Sequence, residues 1–492
     1  MDTLPTEVYS VASVREFDRV AIEDHGIPGY TLMTRAATAA LQAALAQFPG
    51  SRRWQVLCGA GNNGGDGYVL ARLAAAEGIV VSAVALVDPA GLSGDAAKAC
   101  ADFAAEGGVV VPWAGELDAA ADLLVDGLLG SGLERDVGGE FAACVSAING
   151  HPAPVLALDI PTGLHGDSGA VMGCAVQADL TTTFVGLKTG LVVGQGPELC
   201  GELRFAGLGI PDEWRACRAA EYRLTGDAML APALPRRSRA AHKGQFGHVL
   251  VVGGGAGMPG AVRLCGEAAL RAGAGLVSIA TDPAHAAMIV ASRPELMPHG
   301  IGSAADLDPL LERADVIAFG PGLGRSEWAR ELVVRLRDDG RPCVWDADAL
   351  NWLAELPNTA PRRIITPHPG EAGTLLGSAV AAIQADRRKA VEALQARYGG
   401  AAVLKGAGTL VASGDGTPWL CRAGNPGMAT AGMGDVLTGV IAALLAQGLD
   451  IATAAAAGVE VHARAGDRAA AAGERGLLAS DLLGELRAFV NP

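Results

Sequence analysis

The sequence has no C-x-x-C pair, no H-E-x-x-H, and no uncharged apolar run approaching the roughly 18 residues of a membrane span. Its nine cysteines are scattered and odd in number, a pattern expected of reduced, buried thiols in the cytoplasm. Without the paired-histidine helix, the nine histidines give a zinc hydrolase no support. Basic residues are outnumbered 38 to 53, so the net charge is -15. A field of that sign repels nucleic acid and anionic membranes. Any phosphate held by this chain must therefore sit in a local pocket built against the field. The first residues, Met1 to Glu7, carry neither a basic nor an apolar segment, so no secretory signal is expected there.

What the 492 residues do contain is alternation. Short β-branched or apolar runs take turns with Ala-rich helical runs, which predicts parallel sheets with helices on both faces. Ser13-Val14-Arg15-Glu16 has the capping-box spacing and predicts a helix start, with Gly26 able to end the helix. Strands are predicted at 54–58, 79–87, 123–126 and 155–159, each running into glycines or an acid, where open α/β sheets bind ligands. A Pro/Arg-rich stretch containing Pro232, Pro235, Arg236, Arg237 and Arg239 then breaks the periodicity. Strands resume at 248–252, 316–319, 343–345, 363–366 and 401–404. The expected organisation is a domain over 1–220, a linker over 221–241 and a domain over 242–492.

After the first strand comes Gly59-Ala60-Gly61-Asn62-Asn63-Gly64-Gly65-Asp66-Gly67. Gly59, Gly61 and Gly64 satisfy G-x-G-x-x-G, and a dinucleotide fold with Asp88 on the ribose would explain that much. Bare glycine amides suffice for a pyrophosphate; Asn62, Asn63 and Asp66 add oxygens suited to a hard cation or to ribose hydroxyls. Two further strand ends, Asp126-Gly127-Leu128-Leu129-Gly130-Ser131-Gly132 and Asp159-Ile160-Pro161-Thr162-Gly163, carry acids too. Each alone reads equally well as a capping turn, but three at one sheet edge point to a site.

Together these segments resemble the NAD(P)HX epimerase family, over roughly residues 10 to 215, with Asn62-Asn63-Gly64-Gly65-Asp66 as the most specific part. The resemblance implies a Rossmann-like three-layer sandwich that interconverts the epimers of hydrated NADH or NADPH. It places Asn62, Asn63, Gly64, Gly65 and Asp66 on the hydrated nucleotide, with Gly130, Ser131, Gly132, Leu133, Glu134, Arg135, Asp136 and Asp159. It also implies a potassium ion near Asn63, Asp126 and Thr162. The chain departs from the usual pattern at Thr34, where relatives carry Glu, and at Thr162, where the hydroxyl is kept on a different residue type. Epimerisation breaks and remakes a bond to oxygen beside the ring nitrogen, so a carboxylate must give and take a proton. Asp159 is the candidate, the alternative being that it only hydrogen-bonds substrate. Lys188 is an outside candidate for charge stabilisation.

The second site begins at Asn425-Pro426-Gly427-Met428-Ala429-Thr430-Ala431-Gly432-Met433-Gly434-Asp435, followed by apolar residues at helical spacing. A glycine-rich loop that delivers free amides to a helix start makes an anion hole. Asp435 could merely cap that helix, but a cap needs neither Gly432 nor Gly434. The Gly-x-Gly-Asp pattern resembles the ribokinase-like fold. The segments His242-Lys243-Gly244-Gln245-Phe246-Gly247, Gly320-Pro321-Gly322-Leu323-Gly324, Thr366-Pro367-His368-Pro369-Gly370-Glu371 and Lys405-Gly406-Ala407-Gly408-Thr409 narrow it to the NAD(P)HX dehydratase family, over roughly residues 225 to 490. The resemblance implies removal of water from the S epimer at the expense of ADP, which releases AMP and phosphate. It places Ala261, Gly322, His368 and Asp435 on the hydrated nucleotide, and Lys405, Gly406, Ala407, Gly408, Thr409 and Gly434 on the adenine nucleotide. Asp435 would be the base and Mg²⁺ would enter with ADP. His368 reads alternatively as a hydrogen-bonded core residue. Relatives carry Ser and Tyr where this chain has Gly255 and Met258.

Two other readings compete: a small-molecule kinase with a regulatory nucleotide-binding domain, and a nucleotide sensor without catalysis. Neither gives Asn62 to Asp66 and Pro367 to Glu371 a role together with intact acids at both sites. A symmetric homo-oligomer, up to a tetramer, is the expected assembly.

Overall fold

The computed structural model describes residues 2–414 and 416–492. The chain divides between Tyr222 and Arg223 into two compact units. The sheet of the first unit has seven strands in the spatial order Val109–Pro112, Val80–Ala85, Arg53–Cys58, Leu123–Gly127, Val155–Leu158, Leu180–Phe184 and Glu202–Ala206. Every neighbouring pair is parallel. The chain winds outward from Arg53–Cys58 to one edge, then returns to Leu123–Gly127 and winds the other way. That reversal opens a crevice beyond the carboxyl ends of the two central strands, where Gly59 and Leu128 meet. Leu123–Gly127 is buried along its whole length, as a parallel strand covered on both faces should be. Helix Asn62–Ala76 lies between helices Gly29–Gln47 and Gly94–Ala105 and packs on the central strands.

Several local expectations are corrected. The first helix, Val11–Arg19, is capped by Ser10, whose hydroxyl accepts the Ser13 N–H at 3.2 Å. Ser10 has the extended backbone a cap requires, so Ser13 falls inside the helix and Glu16 pairs with Arg19 instead. The chain continues through a π-helical turn, Val20–Asp24, before Gly26. The strand expected over 79–87 spans only Val80–Ala85, and that over 155–159 stops at Leu158. Asp159 stands in the left-handed region (φ 66°), which no strand can include. The strands at 109–112, 180–184 and 202–206 had no signal strong enough to be expected.

In the second unit the order is Met297–Gly300, Leu276–Thr281, His248–Val252, Val316–Phe319, Cys343–Trp345, Arg363–Ile365, Ala401–Leu404, Thr409–Ser413 and Trp419–Cys421. The first seven run parallel; Thr409–Ser413 turns back antiparallel to them, and Trp419–Cys421 pairs antiparallel with Thr409–Ser413 in turn. Arg223 and Leu224 pair with Trp419 and Leu420, and Asp227–Ala233 forms a helix, so much of the stretch expected as a linker is regular structure of this unit. The central helix Met433–Ala446 packs on helix Pro259–Arg271 and is buried from Val436 to Leu445. The unit's core closes around this helix, which fixes its first turn above the sheet edge.

Candidate active sites

At the first switch point lies a cavity of about 880 Å³. The segment expected as a glycine loop is the first turn of helix Asn62–Ala76, with Gly61 as its cap. Asn62, Asn63 and Asp66 face the cavity, whereas Gly64 and Gly65 lie beneath it. Their bareness serves close packing: a Cβ on Gly64 would meet the Gly59 carbonyl at 2.1 Å, and one on Gly65 the Met33 Cε at 2.6 Å. Gly130, Ser131, Gly132, Leu133, Glu134 and Arg135 form another wall. Asp136 stands aside, near Gly173.

Asp159 and Lys188 occupy the floor. Lys188 Nζ donates to Asp159 Oδ1 at 2.6 Å, to Thr183 Oγ1 at 3.2 Å and to the Phe184 carbonyl at 3.2 Å. The lysine is buried, so this is a desolvated ion pair facing a ligand cavity. Asp126 lies deeper and is wholly buried. Its carboxyl accepts from the Thr162 hydroxyl at 2.7 Å, the Thr162 N–H at 2.8 Å and the Leu128 N–H at 3.2 Å. Burial pushes its acid up to about 6 in spite of those bonds. Beside this group the Asn63 side chain is buried with neither its amide oxygen nor its amide nitrogen bonded. A Cβ on Gly130 would lie 3.7 Å from that Asn63 oxygen.

Of the four further acids that line the cavity, Asp18, Asp66, Asp95 and Glu134, the first two are raised. Burial, reinforced by Asp159 and Asp18, holds the Asp66 carboxyl well above the usual carboxylate range. Asp18, on helix Val11–Arg19, is pushed up to about 6, by burial first and then by Asp159, against the pull of Lys188. Sequence reasoning missed Asp18, although Val14, Asp18 and Ile22 recur at four-residue spacing and an acid on an apolar helical face is a readable signal.

In the second unit the loops after five parallel strands converge on the start of helix Met433–Ala446. Gly432 takes the left-handed backbone (φ 91°) that turns the chain into the helix. A Cβ on Gly434 would touch Asp346 Oδ2 and Lys405 Nζ, each at 3.2 Å, so this turn sits directly over a buried pair. Lys405 Nζ lies 2.8 Å from Asp346 Oδ1 and 3.7 Å from Glu371 Oε2, and the Thr438 hydroxyl donates to Asp346 Oδ2 at 2.9 Å. Burial pushes the Asp346 carboxyl up, yet Lys405 and its hydroxyl donors outweigh that and hold it below the usual range. Asp435 goes the other way, to about 7, through burial and the Asp346 charge, with Lys405 opposing.

The remaining expected residues surround this group. Ala261 and Gly322 are neighbours, a Cβ on Gly322 falling 3.1 Å from that of Ala261. His368 is no core residue. Its ring is more than half exposed, and Nδ1 caps helix Pro369–Leu376 by accepting from Gly370 and Glu371 N–H. Gly406, Ala407 and Gly408 form the turn after Ala401–Leu404, and the Thr409 hydroxyl closes it on the Gly406 carbonyl at 2.9 Å. Asp346 was missed, although the rule that found Asp126 and Asp159, an acid at a strand's carboxyl end, applies to it.

Two open α/β sheets, each with a lysine among carboxylates at its switch point, define a two-unit enzyme acting on a polar, nucleotide-sized substrate. Residues 249–487 match the NAD(P)H-hydrate dehydratase family, and residues 29–190 match the family described as YjeF-related protein N-terminus. The bifunctional NAD(P)H-hydrate repair enzyme of Coxiella burnetii is 47% identical over 99% of this chain and 100% of its own length. That of Escherichia coli K12 is 44% identical over 100% of this chain and 95% of its own. A ribokinase-like superfamily protein from Enterococcus faecalis V583, 28% identical, superposes with a TM-score of 0.52 over 56% of this chain and 99% of that one. The chain belongs to the bifunctional NAD(P)H-hydrate repair enzymes, with an epimerase unit followed by a dehydratase unit.

Proposed function

We propose that the first unit interconverts the R and S epimers of hydrated NADH and NADPH, and that the second dehydrates the S epimer with ADP. The observation that carries this reading is the poised acid Asp435, near neutrality at a glycine-rich helix start and beside Lys405. Hydroxide leaves carbon poorly, so the hydroxyl is first phosphorylated. Asp435 takes the hydroxyl proton as its oxygen attacks the β-phosphorus of ADP, and AMP departs. Phosphate then leaves the ring with its bonding electrons, a ring proton is lost, and the dihydronicotinamide is restored. Lys405, Gly406 to Thr409 and the amides at Gly434 hold the phosphates, and Ala261, Gly322 and His368 border the hydrated nucleotide. Mg²⁺ would enter with ADP and screen its charge.

In the first unit Asp159 is the proton-transferring carboxylate, with Lys188 holding it in place. Asn62, Asn63, Asp66 and the wall from Gly130 to Arg135 receive the nucleotide. The residues fit a potassium ion: the Asn63 amide oxygen is buried without a partner beside the Asp126–Thr162 pair. Bound there, the ion would supply positive charge at the nucleotide end of the cavity. The enzyme works in the cytoplasm, where its substrates arise, and as a homo-oligomer, which light scattering tests.

The deciding assay mixes purified protein with R- and S-NADHX and follows NADH absorbance with and without ADP, Mg²⁺ and K⁺. Recovery of NADH beyond the S fraction, faster than spontaneous epimerisation, is expected. Recovery of the S fraction alone would reduce the first unit to a binding module, and no ADP-dependent recovery would sink the reading.

A further inference from the structure

We propose that Asp18 is a second catalytic acid–base residue of the epimerase site, serving the face of the nicotinamide ring that Asp159 cannot reach. The inference rests on the epimerase reading above. Epimerisation moves a hydroxyl from one face of a ring to the other. On one face a proton must reach the departing oxygen; on the opposite face a proton must leave the incoming water. One carboxylate could do both only by swinging around the substrate.

Asp159 is not free to swing. Its Oδ1 is held by Lys188 at 2.6 Å and approached by the Thr183 hydroxyl at 3.4 Å. Its own N–H is tied to the Thr182 carbonyl at 2.8 Å, on a backbone fixed in the left-handed region. Asp18 differs on each count. It comes from a separate element, helix Val11–Arg19, and lines the same cavity between Val14 and Ile22. Its carboxyl makes no hydrogen bond and no ion pair with any described residue. A mostly buried acid with no protein partner, aimed into a ligand cavity, is left for the ligand. Three other carboxyls of the cavity also lack a partner among the described residues: Asp66 lies in the helix turn expected to grip the nucleotide, Asp95 in the first turn of helix Gly94–Ala105, and Glu134 is an exposed part of the wall from Gly130 to Arg135.

Charge supports the pairing. The charged groups that line the cavity with Asp18 are Asp66, Asp95, Glu134, Arg135, Asp159 and Lys188, and Arg15 stands on its own helix. Lys188 can neutralise one carboxylate, and Asp159 has it. Burial makes Asp18 keep its proton more readily than an ordinary carboxyl does; Lys188 pulls the other way, and Asp159 adds to the burial. The step balances as follows. The ring nitrogen lone pair forms the C=N bond while the C–O bond breaks, and the departing hydroxide takes the Asp18 proton and leaves as water. Water then attacks the other face, its electron pair reforms C–O, the C=N pair returns to nitrogen, and the surplus proton passes to Asp159. Reversal starts from the opposite protonation state, so each direction uses both residues.

The test compares wild type, Asp18→Asn, Asp18→Ala and Asp159→Asn as full chains. The readouts are R-to-S epimerisation, hydrated-nucleotide binding and dehydration of pure S-NADHX. For Asp18→Asn, kcat for epimerisation should fall about 100-fold or more, with KM, binding and S-dehydration unchanged. Added formate should restore part of the rate to Asp18→Ala and none to Asp18→Asn. Epimerisation by Asp18→Asn within twofold of wild type would overturn the proposal. So would a loss that follows weakened binding, or an Asp18→Ala rate that formate leaves unchanged. Failure of the epimerase reading itself is separate: wild type would then epimerise no faster than buffer.

Discussion

Asp346→Asn tests how the second site sets its base. The substitution keeps the shape of the side chain and can still accept from Thr438, but removes the charge that pairs with Lys405 at 2.8 Å. Breaking a buried pair by deleting one partner costs about 3–5 kcal/mol. Glu371 remains 3.7 Å from Lys405, so the lower end, about 3 kcal/mol, is expected. At about 2–4 °C per kcal/mol for a unit of this size, its thermal transition should fall by about 6–12 °C.

The same change moves a pH profile. A base works when deprotonated, so dehydration should rise with pH through the value near 7 at which Asp435 titrates. Burial is the largest reason that value is high, and the Asp346 charge is the next. Removing that charge leaves Lys405 to pull Asp435 down. A shift of about one unit, or about 1.4 kcal/mol, is the expected order. Relative to the plateau near pH 8, the rate at pH 6 should rise from about a tenth to about a half. Initial rates of NADH formation from S-NADHX and ADP across this range read the ratio, whatever happens to the plateau. A limb that stays in place or moves alkaline in a folded variant would refute the reasoning.

In the first unit, Gly59→Ala would drive a Cβ to 1.8 Å from the Leu128 carbonyl. Because backbone must move, epimerisation should be lost while S-NADHX dehydration by the same chain survives; near-normal epimerisation would show that this turn does not shape the site. Asn63→Leu removes the unpartnered amide, so the rise of epimerisation rate with K⁺ expected of wild type should flatten. An unchanged K⁺ response in the variant would move the ion elsewhere.

Both sheets were legible where a strand ends in chemistry. The runs at 248–252, 316–319, 343–345 and 401–404 are strands over those same residues because each is short and apolar, the first three stopped by glycine or acid and the last by Lys405-Gly406. The strands at 180–184 and 202–206 escaped notice for a physical reason. Leu180-Thr181-Thr182-Thr183-Phe184 is buried throughout, but its hydroxyls hide the apolar signal; Thr181, for example, satisfies its own by donating to the Cys200 carbonyl. Site residues followed the same division. Asp159 and Asp435 sit in strings that the sequence displays, whereas Asp18 and Asp346 offer only a thin local signal, an acid on an apolar helix face and an acid at a strand end, and take their roles from neighbours distant in the chain. No local pattern states that Asp346 lies 2.8 Å from Lys405, 59 residues later.

The two sites, on unrelated sheets, solve one problem alike. Each sets one lysine among several carboxylates: the buried Lys188 with Asp159, Asp66 and Asp18, and the half-buried Lys405 with Asp346, Glu371 and Asp435. Burial, the largest cause at each of them, then raises the acids that the lysine does not hold, and neighbouring carboxylates add to it. One is clamped as the carboxylate partner of the lysine, while the others are driven towards neutrality, where a proton is most easily exchanged near pH 7. In the second unit the outcome is a base at about 7 beside a clamped Asp346. In the first unit, Asp159 is clamped while Asp66 and Asp18 are raised. In both units, burial around a lysine that is already engaged keeps neighbouring carboxyl groups able to hold and release protons.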